Sequence, residues 1–444
     1  MDAHEHSDQE ESSDGADSAL STEAGGGVGK ALAVTLGVPA AIWAVERVPV
    51  VDSPWAAEPM RLGEMSLGLA PLVTAFVLVE FVALLVPAWR SLRIGGPEGR
   101  RRLTRWALWV GLVLTLMHAF SLTLFFQAER LVSGGMSFAL MFGLAAWTGM
   151  IFAGSRVIDR YGLGNGFAVL LGVQMVAELG RLSLGGDPFG DAPTLETWMG
   201  AALLAAVVAV WLSSSRFVAK EGAVRLRAPL SGAVPLSTAA GLVGLAHIYT
   251  GDPGAVGEGP LVPGSTGHLI ATGVVGALAT VALAFVFYGP LRVARFLDGP
   301  NAEERARGAV LRALPATLVF TVGLALLYQW ALVRFPLPGA VTALGAAYFG
   351  ALVVDLWLEA RWRSGHGEVA AVWPVHRVYA VGPVLDALAA EGIDAHARAE
   401  RYRSLLQFFG PYVPIEILVP TAQRDDAVGV IERVLAGETD AEEA

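Results

Sequence analysis

The stretch RYGLGNGFAVLLG, residues 160–172, sets Gly162, Gly164, Asn165 and Gly166 between two strongly apolar segments. Glycine tolerates positive φ and tight turns. Asn165 can cap the segment that follows by accepting from its free N–H groups. The G-x-G-x-G spacing follows no strand, so the dinucleotide fingerprint is not met. Taken alone, the stretch reads as a turn between two helices, and its surroundings decide what helices those are.

The 444 residues are 54% hydrophobic and 16% charged, where a soluble domain carries roughly a quarter charged residues. Runs such as FALMFGLAAW (138–147) and AALLAAVVAVW (201–211) recur along most of the chain. Segments of this kind are built to cross roughly 30 Å of hydrocarbon. The composition therefore defines a polytopic, all-α membrane protein. There is no cysteine, which excludes disulfides and thiolate-based metal or redox chemistry.

The net charge of −10 is concentrated at the ends. Residues 1–27 hold eight acids and no Lys or Arg, and the last seven residues hold four more acids, leaving a body near +2. Residues 1–27 read as a disordered, solvated acidic tail, and 439–444 as a second one. The start lacks the basic region and cleavage site of a signal peptide, so the first span is expected to be retained. AGGGVGK (24–30) looks superficially like a phosphate-binding loop. Ala24 stands where its first Gly is needed and Ala31 replaces Ser or Thr, so it reads as a glycine linker.

Ten spans fit the hydropathy: about 28–45, 64–88, 103–126, 135–157, 165–181, 195–215, 235–250, 268–291, 308–333 and 340–360. Seventeen Lys or Arg lie in or beside loops two-three, four-five, six-seven and eight-nine, against five for the alternate loops. Basic residues gather on the cytoplasmic side, which places both termini in the cytoplasm. From about residue 365 the pattern changes. AAVWPVHRVYA, IDAHARAE and PIEILVP read as strands, and VGPVLDALAAEG and RDDAVGVIERVLAGE as helices. That order predicts a small cytoplasmic α+β domain over 365–438, ferredoxin-like in type. In VHRVY, LAAEGIDA and IEILVP it resembles small prokaryotic signal-transducing domains.

VIDRYGLGNGFAVLL (157–171) resembles the fourth-to-fifth span junction of the SecY family of protein-conducting channel subunits. Five further stretches resemble that family in the same order. They are LGLAPLVTAFVLVEFV (67–82), GGPEGRRRLTRWALWVGLVL (95–114), VPLSTAAGLVGLA (234–246), FVFYGPLRVARFL (285–297) and ALGAAYFGALVVDLWLEA (343–360). The resemblance implies a SecY-like domain over 28–362, in two inverted halves of five spans. It also implies a bacterial inner-membrane location and an unfolded polypeptide as substrate, with SecE-like and SecG-like small membrane subunits as partners.

Departures from the family are as informative. ERVPVVDSPWAAEPMRLGEM (46–65) leaves little room for the family's pore-plugging helix. DGPNAEERARG (298–308) replaces the loop that docks the ribosome or the SecA motor, and Asp298 and Pro300 read as the cap and first turn of a helix leading straight into span nine. The six-seven loop is also short. Conventional motor or ribosome docking is therefore not expected.

A protein channel needs an apolar constriction that seals against hydrated ions. The resemblance places that ring at Val73, Val77, Leu171, Met175, Ala246 and Tyr348; ordinary interhelical packing would select the same residues. Intramembrane ionisable groups are costly and so informative: Glu80, His118, His247 and Asp355, with Glu80 facing a lateral gate or pairing with an arginine. For Asp355, Glu178 and Glu359 a position near the membrane interface is expected. Arg93, Arg100, Arg101, Arg102 and Arg105 form a cytoplasmic basic loop, suited to topology and anionic-lipid contact or to a cytoplasmic partner. The sequence shows no nucleophile–base set, nucleotide motif, metal spacing or nucleic-acid signature, and points away from an enzyme and from a cofactor. Three readings follow: a protein-conducting or insertion channel, a channel-derived scaffold or sensor signalling through the tail domain, and a small-molecule secondary transporter.

Overall fold

The computed structural model describes residues 22–24, 27–51, 60–62, 67–94, 96–130, 134–183, 219–222, 224–226, 228–235, 265–297, 299–334, 341–407 and 413–439, together with residue 261 and scattered positions between 202 and 246. In chain order, a short strand β1 (Thr22–Ala24) precedes α1 (Val28–Glu46). A two-stranded hairpin of β2 (Pro49–Val51) and β3 (Met60–Arg61) follows. Then come α2 (Ala70–Leu85), α3 (Pro87–Ile94), α4 (Gly96–Ala128), α5 (Gly134–Tyr161) and α6 (Gly166–Ser183). A second hairpin pairs β4 (Ala219–Glu221) with β5 (Val224–Leu226). It leads to α7 (Thr266–Phe287), α8 (Pro290–Ala294), α9 (Ala302–Arg334) and α10 (Val341–Arg363).

Eight of these helices fall on eight of the expected spans. Spans six and seven lie largely outside the described residues. Among the described helices, five are long and apolar enough to cross a membrane. The outer face of α4 shows why: Trp106, Trp109, Val113, Met117 and Phe120 are all more than half exposed. Side chains of this size facing outward along a 33-residue helix suit lipid rather than water. Thr104, Thr115, Thr123 and Thr148 return their hydroxyls to the carbonyl four residues earlier, satisfying them without leaving the helix.

The tail domain is built from β6 (Val369–Val375), α11 (Val378–Ala390), β7 (His396–Arg398), α12 (Glu400–Leu405), β8 (Ile415–Pro420) and α13 (Arg424–Thr439). Its antiparallel sheet has the order β1-β6-β8-β7. The first and second strands of the domain thus flank the third. The domain is not a tethered satellite. Its core residues Val372, Tyr379, Val384, Ile415 and Ile431 share one buried cluster with Phe287, Tyr288, Val293 and Val310 from the ends of α7, α8 and α9.

Four expectations are corrected. Thr22–Ala24, placed in the disordered tail, forms the edge strand on β6, pairing Glu23 with Ala370; an open sheet edge offers unpaired backbone groups to any nearby strand. The basic segment at 100–105 is not a loop, because α4 starts at Gly96 and carries these arginines in its first turns. The helix leading into span nine starts at Ala302 and not at Pro300: Asn301 is left-handed (φ 59°) and Glu303 and Glu304 occupy the first turn. The strand expected to run through Tyr379 ends at Val375, one residue after Pro374, which cannot donate to a ladder, and α11 begins at Val378.

Candidate functional site

The glycine stretch of 160–172 is where four parts of the chain are tied together. Asn165 accepts from the Ala168 N–H at 3.0 Å and caps α6. The Asp159 carboxylate accepts from Gly166 N–H at 2.6 Å. Thr35 of α1 accepts from Leu163 N–H at 2.7 Å. Glu359 of α10 accepts from Gly164 N–H at 2.8 Å. The backbone has to turn sharply to present these donors. Gly164 does so at φ +71°, and a side chain at Gly166 would overlap the Ser155 carbonyl. The kink therefore serves a junction, with each free N–H taken by a different element.

Glu359 is the centre of a buried ionic cluster. One of its oxygens receives Arg398 Nε at 3.1 Å and Nη2 at 3.0 Å, and forms an ion pair with Arg363 at 2.8 Å. Arg398 also donates to Glu416 at 2.7 Å, its cross-strand partner, and to the Asp159 carbonyl at 3.2 Å. Burial pulls the Arg398 guanidinium toward neutrality, but the Glu359 and Glu416 carboxylates more than offset it and raise its affinity for the proton. Glu359, Arg363 and Arg398 are all at most 3% exposed. A cluster this dry holds together only while every member is present.

The same edge of the tail domain runs along α10. Asp355 accepts from Tyr402 N–H at 2.7 Å and Arg401 N–H at 3.3 Å, capping α12. The Tyr402 ring stands 6.0 Å from that of Tyr348. Contacts from Glu359 to Tyr348 thus extend over roughly 16 Å of α10, at 1.5 Å per residue. The Leu405 carbonyl accepts from Ala233 N–H at 3.0 Å, just before the expected seventh span. Tyr402, Leu405, Leu406 and Val413 are buried in one cluster with Leu72, Phe76 and Phe167 of α2 and α6. Helix α12 is therefore seated within the helical body.

The other expected residues are placed as follows. Glu80 pairs with Arg100 at 2.8 Å in a buried ion pair that joins α2 to α4. Arg101, Arg102 and Arg105 are exposed; Arg93 lies in α3. Val73, Leu171 and Tyr348 pack, half-buried, against the same cluster, whereas Val77 is exposed. Ala246 is half-buried. The side chains of Met175 and Glu178, and residue His247, lie outside the described residues. His118 is exposed and bonds the Leu114 carbonyl of its own helix. Asp355 is not a free interfacial acid but a cap for α12.

These features define a polytopic helical membrane protein with a small α+β domain built into its helix ends. The SecY family profile matches residues 65–233, which include the glycine junction. Over that segment, somewhat more than a third of the chain, the sequence is similar to the SecY family. It is 26% identical over 130 residues to the protein translocase subunit SecY of Pseudomonas aeruginosa, covering 27% of this chain and 28% of that protein. It is 28% identical over 123 residues to that of Synechococcus elongatus, again covering 27% and 28%. The matches thus span little more than a quarter of these relatives. The fold is similar to Sec61 in the canine ribosome-channel complex from the endoplasmic reticulum, with a TM-score of 0.50 at 16% identity, covering 76% of this chain and 93% of that one.

Sequence reasoning missed Thr35, Asp159, Arg398, Glu416 and Tyr402 as parts of the junction. Arg398 alone carried a signal, as a charge among small residues in a short strand.

Proposed function

We propose that the chain is a SecY-like protein-conducting or membrane-insertion channel whose cytoplasmic mouth is capped by its own tail domain. One observation carries this reading: Tyr402 of α12 packs against Tyr348, a residue assigned to the pore ring, while Val73 and Leu171 border the same cluster. The substrate would be an unfolded polypeptide, with SecE-like and SecG-like subunits and anionic lipids around the body, in the bacterial inner membrane with both termini cytoplasmic. Tyr402 carries its hydroxyl into the cluster with no hydrogen-bond partner among the described residues.

The cap bears on the cytoplasmic face as well. Glu221 of the β4–β5 hairpin is bound by Arg305 at 3.0 Å and Arg312 at 2.8 Å of α9, and Arg225 pairs with Asp386 of α11. Loops six-seven and eight-nine are thus engaged within the chain, which argues against ribosome or SecA docking there. The tail domain, ferredoxin-like in strand order, replaces them as the regulated element. A non-conducting scaffold that signals through this domain is the second reading, favoured by the same seating of α12.

A photo-crosslinking residue at Leu171 separates the two. In native membranes, Arg398→Gln, which frees the tail, should give crosslinks to polypeptides of many sizes, and the unmodified clamp few. No polypeptide crosslinks from a folded, inserted Arg398→Gln protein would favour the scaffold.

A further inference from the structure

The tail sheet is held to the helical body at both of its outer strands. In the order β1-β6-β8-β7, β7 lies on one side and β1 on the other. On the β7 side, Arg398 reaches Glu359 of α10 and the Asp159 carbonyl near the end of α5. On the other side, Thr22, Glu23 and Ala24 of β1 pair with Ala371, Ala370 and Val369 of β6, and β1 lies beside α5.

Both ties lead to the same turn. Gly25, Gly26 and Gly27 alone separate β1 from α1, a connector too short to let the sheet edge and α1 move far apart. Two turns into α1, Thr35 accepts from Leu163 N–H at 2.7 Å. The next N–H along, that of Gly164, is the one Glu359 holds. The chain thus closes a ring from the sheet through β1 and α1 to the α5–α6 turn, then back through Glu359 and Arg398. A sheet fixed at one edge can pivot about it, and a sheet fixed at both cannot.

The two ties differ in strength. Arg398 is 2% exposed and is bonded to Glu416 as well as Glu359. Strand β1 is three residues long and covers only 369–371 of the seven-residue β6. Two of its residues, Glu23 and Ala24, are of types that strands disfavour. A few backbone hydrogen bonds barely offset the entropy of ordering the residues that make them, and three glycines add to that entropy. Segments held in this way open locally, without global unfolding.

We propose that β1 is a releasable strap on the tail domain. Paired with β6, it holds the sheet against the body and keeps α12 seated. Unpaired, it leaves the tail on the Glu359–Arg398 joint alone, and α12 exchanges between seated and free positions. The position of the cap therefore depends on the N-terminal segment. This rests on the tail acting as a cap, so strand pairing and helix seating are read separately in its test.

Detergent-solubilised full-length protein is compared with a variant lacking residues 2–24, one lacking residues 2–17, Thr22→Pro and Glu23→Pro. The shorter deletion removes seven acids but keeps β1. Successive N–H groups along a strand face opposite sides, so one of the two prolines removes a donor to β6. Hydrogen exchange over 369–375 reports the pairing, and tryptic cleavage after Arg403 reports the seating of α12. We expect the longer deletion and one proline variant to speed exchange about tenfold and cleavage about threefold. The shorter deletion should change neither. Unchanged exchange in the longer deletion overturns the strap. So does faster exchange with unchanged cleavage, which leaves β1 uncoupled from α12, and so does an equal effect of the shorter deletion. Cleavage already fast in the unmodified chain defeats the cap itself and the strap's role with it, while exchange still reports the pairing. Should the longer deletion fail to insert, the proline pair decides.

Discussion

Arg398 of the tail domain and Glu359 of α10, 39 positions apart, share two hydrogen bonds at 3.1 and 3.0 Å to a single carboxylate oxygen. The other oxygen of Glu359 is taken by the backbone of Gly164. One carboxylate therefore joins the tail to the turn between α5 and α6. The geometry makes tail docking and the shape of that turn a single equilibrium.

Removing one partner should break it. Arg398→Gln leaves Glu359 buried with Arg363 alone and leaves Glu416 without its cross-strand partner. Breaking a buried pair from one side costs about 3–5 kcal/mol. The expected outcome is a lower unfolding midpoint and faster tryptic cleavage after Arg403, which is buried in the docked state. Unchanged cleavage would show that the apolar packing of α12 suffices.

How much of this was legible beforehand depends on the element. Gly164 and Asn165 announced a tight turn with a cap, because residues that permit left-handed backbone and offer a side-chain acceptor are few. The apolar runs announced the helices for the same kind of local reason. Glu359 and Asp355 were visible as costly charges, but their partners were not. Arg398 comes from a segment whose own pattern predicts only a strand, Arg401 and Tyr402 follow it where the pattern predicts no element, and α12 shows in neither. Its helix is six residues long and is held by Asp355 and Tyr348, so its stability lies in contacts no local pattern encodes. Asp159 was hidden differently, reading as an ordinary polar residue before a turn.

The glycines give a paired test. Gly166→Ala should destabilise by about 3 kcal/mol or more, since its new Cβ overlaps the Ser155 carbonyl and the backbone has to shift. Gly143→Ala, inside α5, meets nothing within 4 Å and should be neutral or stabilising by up to about 1 kcal/mol. Unfolding midpoints in detergent compare the two. Equal effects would mean that the turn is not the constrained point.

The hinge between α10 and the tail predicts a pH optimum. Trp362 is sandwiched between His366, at 4.4 Å, and His396, at 5.6 Å. Burial lowers the His396 pKa to about 4, although Glu359 and Glu400 pull it up. A depressed histidine contributes stability above its unfolded value near 6.5 and loses it as pH falls toward 4. His366 is raised, chiefly by the Trp362 carbonyl and further by Asp394 at 2.8 Å. Its contribution is full below pH 6.5 and is lost as pH rises through its folded pKa. His396→Gln should flatten the acid limb of the stability profile, and His366→Gln the alkaline limb. Profiles unchanged by either variant would assign the pH dependence elsewhere.

The seating of α12 against Tyr348, in the proposed pore ring, is best tested by a crosslink. The chain has no cysteine, so a Tyr348→Cys, Tyr402→Cys pair is the only reactive pair present. Treatment of native membranes with a short bis-methanethiosulfonate reagent should join the two positions within one chain and shift its gel mobility. The yield should fall when Arg398→Gln is added. Absence of the crosslink in intact membranes, with each single cysteine shown to be labelled on its own, would contradict a tail-capped body.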